Sequence, residues 1–277
     1  MKDLFASFLF RLKKDLTFRI TLFVGLGMAF VLAGVFYLID HALGGMEGVK
    51  FCTGQNLLIN SFSPSNNFGI AIPVNLITFT VLEFTQGITR NKIVAGNSKT
   101  KIYISYFLSG LVFTLVVLAG YVGLSVGLGS LLGGFDPNGL LMSGSSGGTS
   151  TPEYLIKFVI SSLLMYVTIC SLTIFFATLF RNIGPCIPVV IVMIMMLYFS
   201  GMIASLMKDT EGTEVFVNVM KYVNPMYALN DASILDSMKG TLAMADDTFI
   251  ASIVNNSIYT IIFLLGGWLV FRKRDVK

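Results

Sequence analysis

The chain has 277 residues, 55% of them hydrophobic and only 12% charged, with a formal net charge of +4, and its mean hydropathy is +0.80. A soluble domain does not carry that much apolar surface, so composition points to a membrane protein. One histidine and three cysteines, with no CxxC or Cys/His spacing, leave no metal or redox motif to read.

Residues 2–19 read as an interfacial helix. Leu4, Phe5, Phe8, Leu9, Leu12 and Leu16 fall on one side of a 3.6-residue wheel and Lys2, Lys13 and Lys14 opposite, while Phe10 and Asp15 break the pattern. Apolar runs long enough to cross a bilayer, roughly 20 residues each, follow at 20–39, 68–88, 102–132, 158–180, 183–206 and 249–271. They are read as helices, because hydrocarbon offers a backbone no other partner and the alternation of an outer-membrane barrel is absent. The first run is longer than a signal-peptide core and lacks an A-x-A cleavage site, so it is expected to be retained. Pro73, Asn75 and Glu83 interrupt the second run, and the third is long enough to tilt or protrude.

The connectors differ in character. Residues 40–67 are mixed, with Asn, Ser and Pro turn signals, and residues 133–152 are a Gly/Ser-rich linker. Residues 207–248 contain VFVNVMKYVNPMYALNDASIL, too polar to span and too apolar for a simple loop. Such a segment lies on the leaflet or dips back where its backbone is buried. The whole reads as one transmembrane domain, residues 1–277: an all-α polytopic fold with six spans.

Placing both termini inside leaves only Lys50, Lys157, Lys208, Lys221 and Lys239, of 19 Lys and Arg, on the outer side. The positive charge is therefore a topology signal, and no nucleic-acid partner is implied. Catalytic patterns are missing: GxSxG, HExxH and the P-loop GxxxxGK[ST] do not occur, so any nucleotide-driven work falls to another subunit.

Three features invite a functional reading. Glu83, near the end of a span, is costly unless paired or wet; it either binds a cation or proton, or pairs with a nearby base such as Arg90, the preferred reading. Asn255 and Asn256 either line a polar pathway or bond across helices. In ITRNKIVAGNSKTK, at 88–101, four cations (Arg90, Lys92, Lys99, Lys101) surround an apolar pair, Ile93 and Val94. A plain inside-positive loop or an anionic-lipid patch accounts for the cations and leaves the apolar pair unexplained.

That stretch resembles the membrane subunits of ATP-binding-cassette transporters of the type-two permease class. In LEFTQGITRNKIVAGNSKTKIYISYF, Glu83, Gly87, Arg90, Asn91, Lys92, Gly96, Ser98 and Lys99 are similar to that family's span end, turn and intracellular coupling helix. The amphipathic start resembles its elbow helix. Asn224-Pro225 in KYVNPMYAL is similar to its re-entrant outer element between the last two spans, and FRKRDVK, with Asp275, to its ending.

The resemblance implies that ATPase coupling falls on Glu83, Arg90, Asn91, Lys92, Ile93, Val94 and Gly96. It also implies a separate ATPase subunit that binds ATP and Mg, with no cofactor in this chain, and a second permease subunit completing a homodimer or heterodimer. The setting it implies is a bacterial cytoplasmic membrane. The expected cargo is hydrophobic or amphipathic, such as a peptide antibiotic, a toxin-like peptide or a drug. The alternative is an ion-coupled carrier or channel working through Glu83, Asn255 and Asn256; a membrane enzyme ranks third for want of a catalytic set.

Overall fold

The computed structural model describes residues 2–42, 50–64, 68–136, 140–143, 146–149, 152–208, 210–234 and 244–273. In chain order the helices are α1 (Lys2–Lys14), α2 (Leu16–Ala42), α3 (Gly54–Phe62), α4 (Phe68–Thr85), α5 (Ile88–Val94), α6 (Lys99–Gly133), α7 (Pro152–Phe180), α8 (Ile183–Leu206), α9 (Glu214–Val223), α10 (Tyr227–Ile234) and α11 (Asp246–Lys273). A short antiparallel hairpin, β1 (Leu140–Ser143) with β2 (Ser146–Thr149), lies in the Gly/Ser-rich connector between α6 and α7.

The protein is a predominantly helical, multi-pass membrane protein. Five helices, α2, α6, α7, α8 and α11, are long and apolar enough to cross a bilayer, and the pair α4 and α5, bent by 57° at its break, brings the number to six if it counts as one span. The apolar runs in the sequence are shorter than most of these helices, because helical turns continue past the hydrocarbon edge into polar residues. Only α8 has the expected bounds, 183–206. The expected span 68–88 ends as a helix at Thr85, where Gln86 and Gly87 turn the chain; Gly87 has φ +68°, a conformation that excludes most side chains.

Helix α7 is the centre of the bundle. It packs against α3, α4, α6, α8, α10 and α11, and 61% of its most apolar window is buried, against 17% for α2 and 22% each for α8 and α11. One core cluster joins α4, α7, α8 and α10 through residues such as Ile77, Phe158, Val190 and Leu229. A second joins α1, α4, α6 and α11 through Phe8, Leu76, Tyr106, Phe113 and Phe271.

The segment 40–67, expected as a loop, contains the buried helix α3. Its polar residues, which read as turn signals, satisfy nearby backbone: Asn56 Nδ2 donates to the Phe51 carbonyl at 3.2 Å and Asn60 Nδ2 to the Asn56 carbonyl at 2.9 Å. Asp40, at the end of α2, accepts from the Phe51 and Cys52 amides. The last turn of α6 lies against this segment so closely that a side chain at Gly133 would collide with the Cys52 carbonyl.

The bundle has two distinct ends. At the basic end, Lys99 Nζ donates to the Arg272 carbonyl at 3.1 Å and Trp268 Nε1 to Thr100 Oγ1 at 3.1 Å, so the start of α6 and the end of α11 lie together with α1 and α5. At the opposite end, Lys157 bridges Glu153 and Asp246 at 2.6 and 2.5 Å, and Lys221 pairs with Asp247, joining α7, α9 and α11.

Candidate functional site

At the basic end the chain must bury the end of α4, and Glu83 there has no exposed surface. A lone buried carboxylate is costly, and this one is met by two cations from different elements. Arg11 of α1 donates to Oε1 at 2.5 Å and Lys92 of α5 to Oε2 at 2.7 Å. The expected partner Arg90 is not one of them: it lies on the exposed side of α5, whereas the helical period carries Lys92 inward. Arg11, 72 residues from Glu83, has no local sequence signal beyond its place in the amphipathic N-terminal stretch.

The rest of α5 is held by the same cluster. Thr89 is buried; its Oγ1 lies 2.5 Å from the Tyr106 hydroxyl and 3.2 Å from the Glu83 carbonyl. Lys92 Nζ lies 3.2 Å from the centre of the Phe8 ring, and Phe8 meets Tyr106 edge-on at 5.0 Å. Burial pushes the Lys92 ammonium down to about 8, against the pull of Glu83, which favours its charge. Arg181, in the turn between α7 and α8, stands over the Phe84 ring at 5.4 Å, so the cluster reaches that turn too.

The helix α5 ends at Val94, because Gly96 at φ +87° closes it: its amide donates to the Ile93 carbonyl, and that of Asn97 to the Lys92 carbonyl. The apolar pair also divides. Ile93 is half-buried against the cluster around Phe8 and Tyr106, while Val94 is 79% exposed. The free side of α5 therefore presents Arg90, Asn91, Val94 and the Gly96 turn. It offers no nucleophile or base. It carries a cation, an amide and one bare apolar side chain.

At the opposite end, the sequence-predicted Asn224, Pro225, Asn255 and Asn256 come together. Residues 224–230 are buried, and their backbone is met by neutral amides. Asn224 Nδ2 donates to the Leu197 carbonyl at 2.7 Å and Ser200 Oγ at 2.9 Å, while its Oδ1 accepts from the Met226 amide at 2.8 Å. Asn256 Nδ2 donates to the Pro225 carbonyl at 3.2 Å and its Oδ1 accepts from Thr168 at 2.9 Å; Asn255 Nδ2 donates to the Lys221 carbonyl at 3.0 Å. Asn256 stands ten residues into α11, about 15 Å along its axis at 1.5 Å per residue. Gly201 of α8 makes room, since a Cβ there would lie 2.6 Å from Asn230 Nδ2. Of the two readings for Asn255 and Asn256, the geometry gives bonds across elements.

Sequence reading missed Arg11, Phe8, Thr89, Tyr106, Asn230 and Gly201, each of which matters only through a partner distant in the chain. Asp275 of the basic-acidic ending lies outside the described residues. Gly123 and Gly127, spaced as a G-x-x-x-G in α6, are exposed, and a Cβ built at either would meet nothing within 4 Å. No curated protein and no solved structure matches the chain. Residues 29–277, which include both clusters apart from the α1 side chains, match the DUF2705 family, described as a protein of unknown function, and the chain belongs to that family.

Proposed function

We propose that this chain is the membrane-spanning permease subunit of an ATP-binding-cassette exporter in a bacterial cytoplasmic membrane. In this reading α4 with α5 supplies the sixth span and its inner helix, α1 is the elbow helix, residues 224–230 form a re-entrant outer element, and both termini are cytoplasmic. A separate ATPase, binding ATP and Mg, docks on the free side of α5. A second permease, identical or related, completes the pathway.

The observation that carries the reading is the mounting of α5. One face is exposed, while Lys92 and Thr89 on the other fasten it to α1, α4 and α6 through Glu83 and Tyr106. A push on such a helix displaces three elements at once, and a partner that binds α5 differently in two states can shift the bundle between them. The sparsely covered faces of α2 and α8 leave room for a second subunit. The exposed Met196, Phe199 and Ile203 of α8 suit an apolar or amphipathic cargo such as a peptide antibiotic, a toxin-like peptide or a drug.

An ion-coupled carrier would need a carboxylate open to a pathway, and Glu83 is instead engaged by two cations. The test is to search the adjacent reading frames for a Walker A ATPase, whose absence counts against the proposal, and to measure its co-purification with the chain. Arg90→Glu combined with Val94→Asp changes only the exposed side of α5 and is expected to lower recovery by about tenfold, a loss of roughly 1.4 kcal/mol of binding. Unchanged recovery, or transport by the purified chain alone driven by an ion gradient, would overturn the proposal.

A further inference from the structure

Between the first two turns of α6 and the last turns of α11 runs a groove of about 310 Å³, lined by Thr100, Tyr103, Ile104, Phe107, Leu264, Leu265 and Trp268. Its walls are apolar and aromatic. Its mouth, at the basic end, is different: Lys99 and Lys101 precede and follow Thr100 on one wall, and Arg272 and Lys273 follow Trp268 on the other. Residues 96–108 and 264–273 contain no carboxylate, and Asp275 lies outside the described residues.

The chemistry of the mouth is oriented. Trp268 Nε1 donates to Thr100 Oγ1 at 3.1 Å, so this hydroxyl, exposed to the surroundings, keeps its own proton to donate. The Arg272 guanidinium stands 5.4 Å from the centre of the indole, which holds it over the groove wall. The start of α6, capped by Ser98, adds the positive end of a helix dipole. Tryptophan and basic residues at one level also mark a headgroup boundary.

We propose that this groove is a binding site for an anionic phospholipid, one acyl chain lying along Ile104, Phe107 and Leu265 and the phosphate meeting Lys101, Arg272 and Thr100. Charge complementarity separates it from the ordinary lipid-facing surface: an apolar slot ending in the exposed cations Lys101, Arg272 and Lys273 selects an acidic headgroup, where a bare helix face does not. The site is independent of the ATPase reading, because none of its residues belongs to α5.

Trp268 is the only tryptophan in the chain, so its emission reports on this groove alone. The purified full chain is reconstituted in phosphatidylcholine bilayers with increasing fractions of brominated phosphatidylglycerol or, separately, brominated phosphatidylcholine. Half-quenching by the phosphatidylglycerol is expected at a mole fraction about tenfold lower, equivalent to roughly 1.4 kcal/mol. Lys101→Gln with Arg272→Gln, both exposed changes, should bring the two curves together. Equal quenching of the wild-type protein by both lipids, which requires no variant, means an ordinary boundary lipid and overturns the proposal. So does preference that survives the double substitution, or absence of quenching by either lipid, which would indicate that protein fills the groove.

Discussion

The two ends of the bundle solve the same problem by opposite chemistry. Each must fix a short segment against long helices. At the basic end the buried fastening is ionic, with one carboxylate between Arg11 and Lys92; at the other, the ion pairs of Lys157 and Lys221 use exposed carboxylates and the buried fastening is neutral, with Asn224, Asn230 and Asn256 meeting carbonyls of α8, the Asn-Pro turn and α11. The ionic solution suits a helix end beside water, where part of the charge stays solvated. Farther down the bundle only uncharged donors keep a turn of backbone satisfied without a large desolvation cost.

The contrast can be broken most forcefully at Glu83. Glu83→Ala leaves two cations facing each other in a buried cluster, and should cost about 3–5 kcal/mol; thermal unfolding in detergent should show it, with Glu83→Gln losing less because it keeps an acceptor. Next comes Gly201→Leu, which drives a side chain into Asn224 and Asn230 and is expected to cost about 1–3 kcal/mol by overpacking, read in the same assay. Asn256→Leu, which removes neutral bonds to Pro225, Thr168 and Ser252, should cost about 1 kcal/mol. If Asn256→Leu proves as damaging as Glu83→Ala, the distinction between the two ends fails.

Two chemical probes sharpen the comparison without unfolding anything. The Lys92 amine, depressed to about 8, is half neutral at that pH, while an unperturbed lysine near 10.4 is under about 1% neutral. Its acylation should therefore rise through pH 8 and level off while other lysines are still gaining reactivity, as peptide mass spectrometry would show. The three cysteines are buried, and burial, with Asp40 nearby, pushes the Cys52 thiol up, so native protein should take little maleimide. Val94→Cys should add close to one equivalent; no gain would mean that the face of α5 is covered.

Much of the architecture was legible because hydrocarbon enforces long apolar runs, and 183–206 had the right bounds for that reason. The segment around Asn224-Pro225 read as too polar to span and too apolar for a simple loop, and residues 224–230 are buried; the Asn-Pro pair itself was singled out only through the family resemblance. The polar side chains of α3 misled because Asn56 and Asn60 cap and bridge backbone locally, which looks like a loop until its burial is known. The partners of Glu83 were hidden for another reason: Arg90 is nearer in sequence, but it lies about half a helical turn from Lys92 and points away, and Arg11 arrives from a different element.

The bond from Lys99 to the Arg272 carbonyl has a practical consequence. It ties the carboxyl-terminal helix a few residues from α5, so a bulky fusion or affinity tag added there would crowd whatever visits that helix. The hairpin of Leu140–Ser143 and Ser146–Thr149, at the far end of α6, is the better place to insert one.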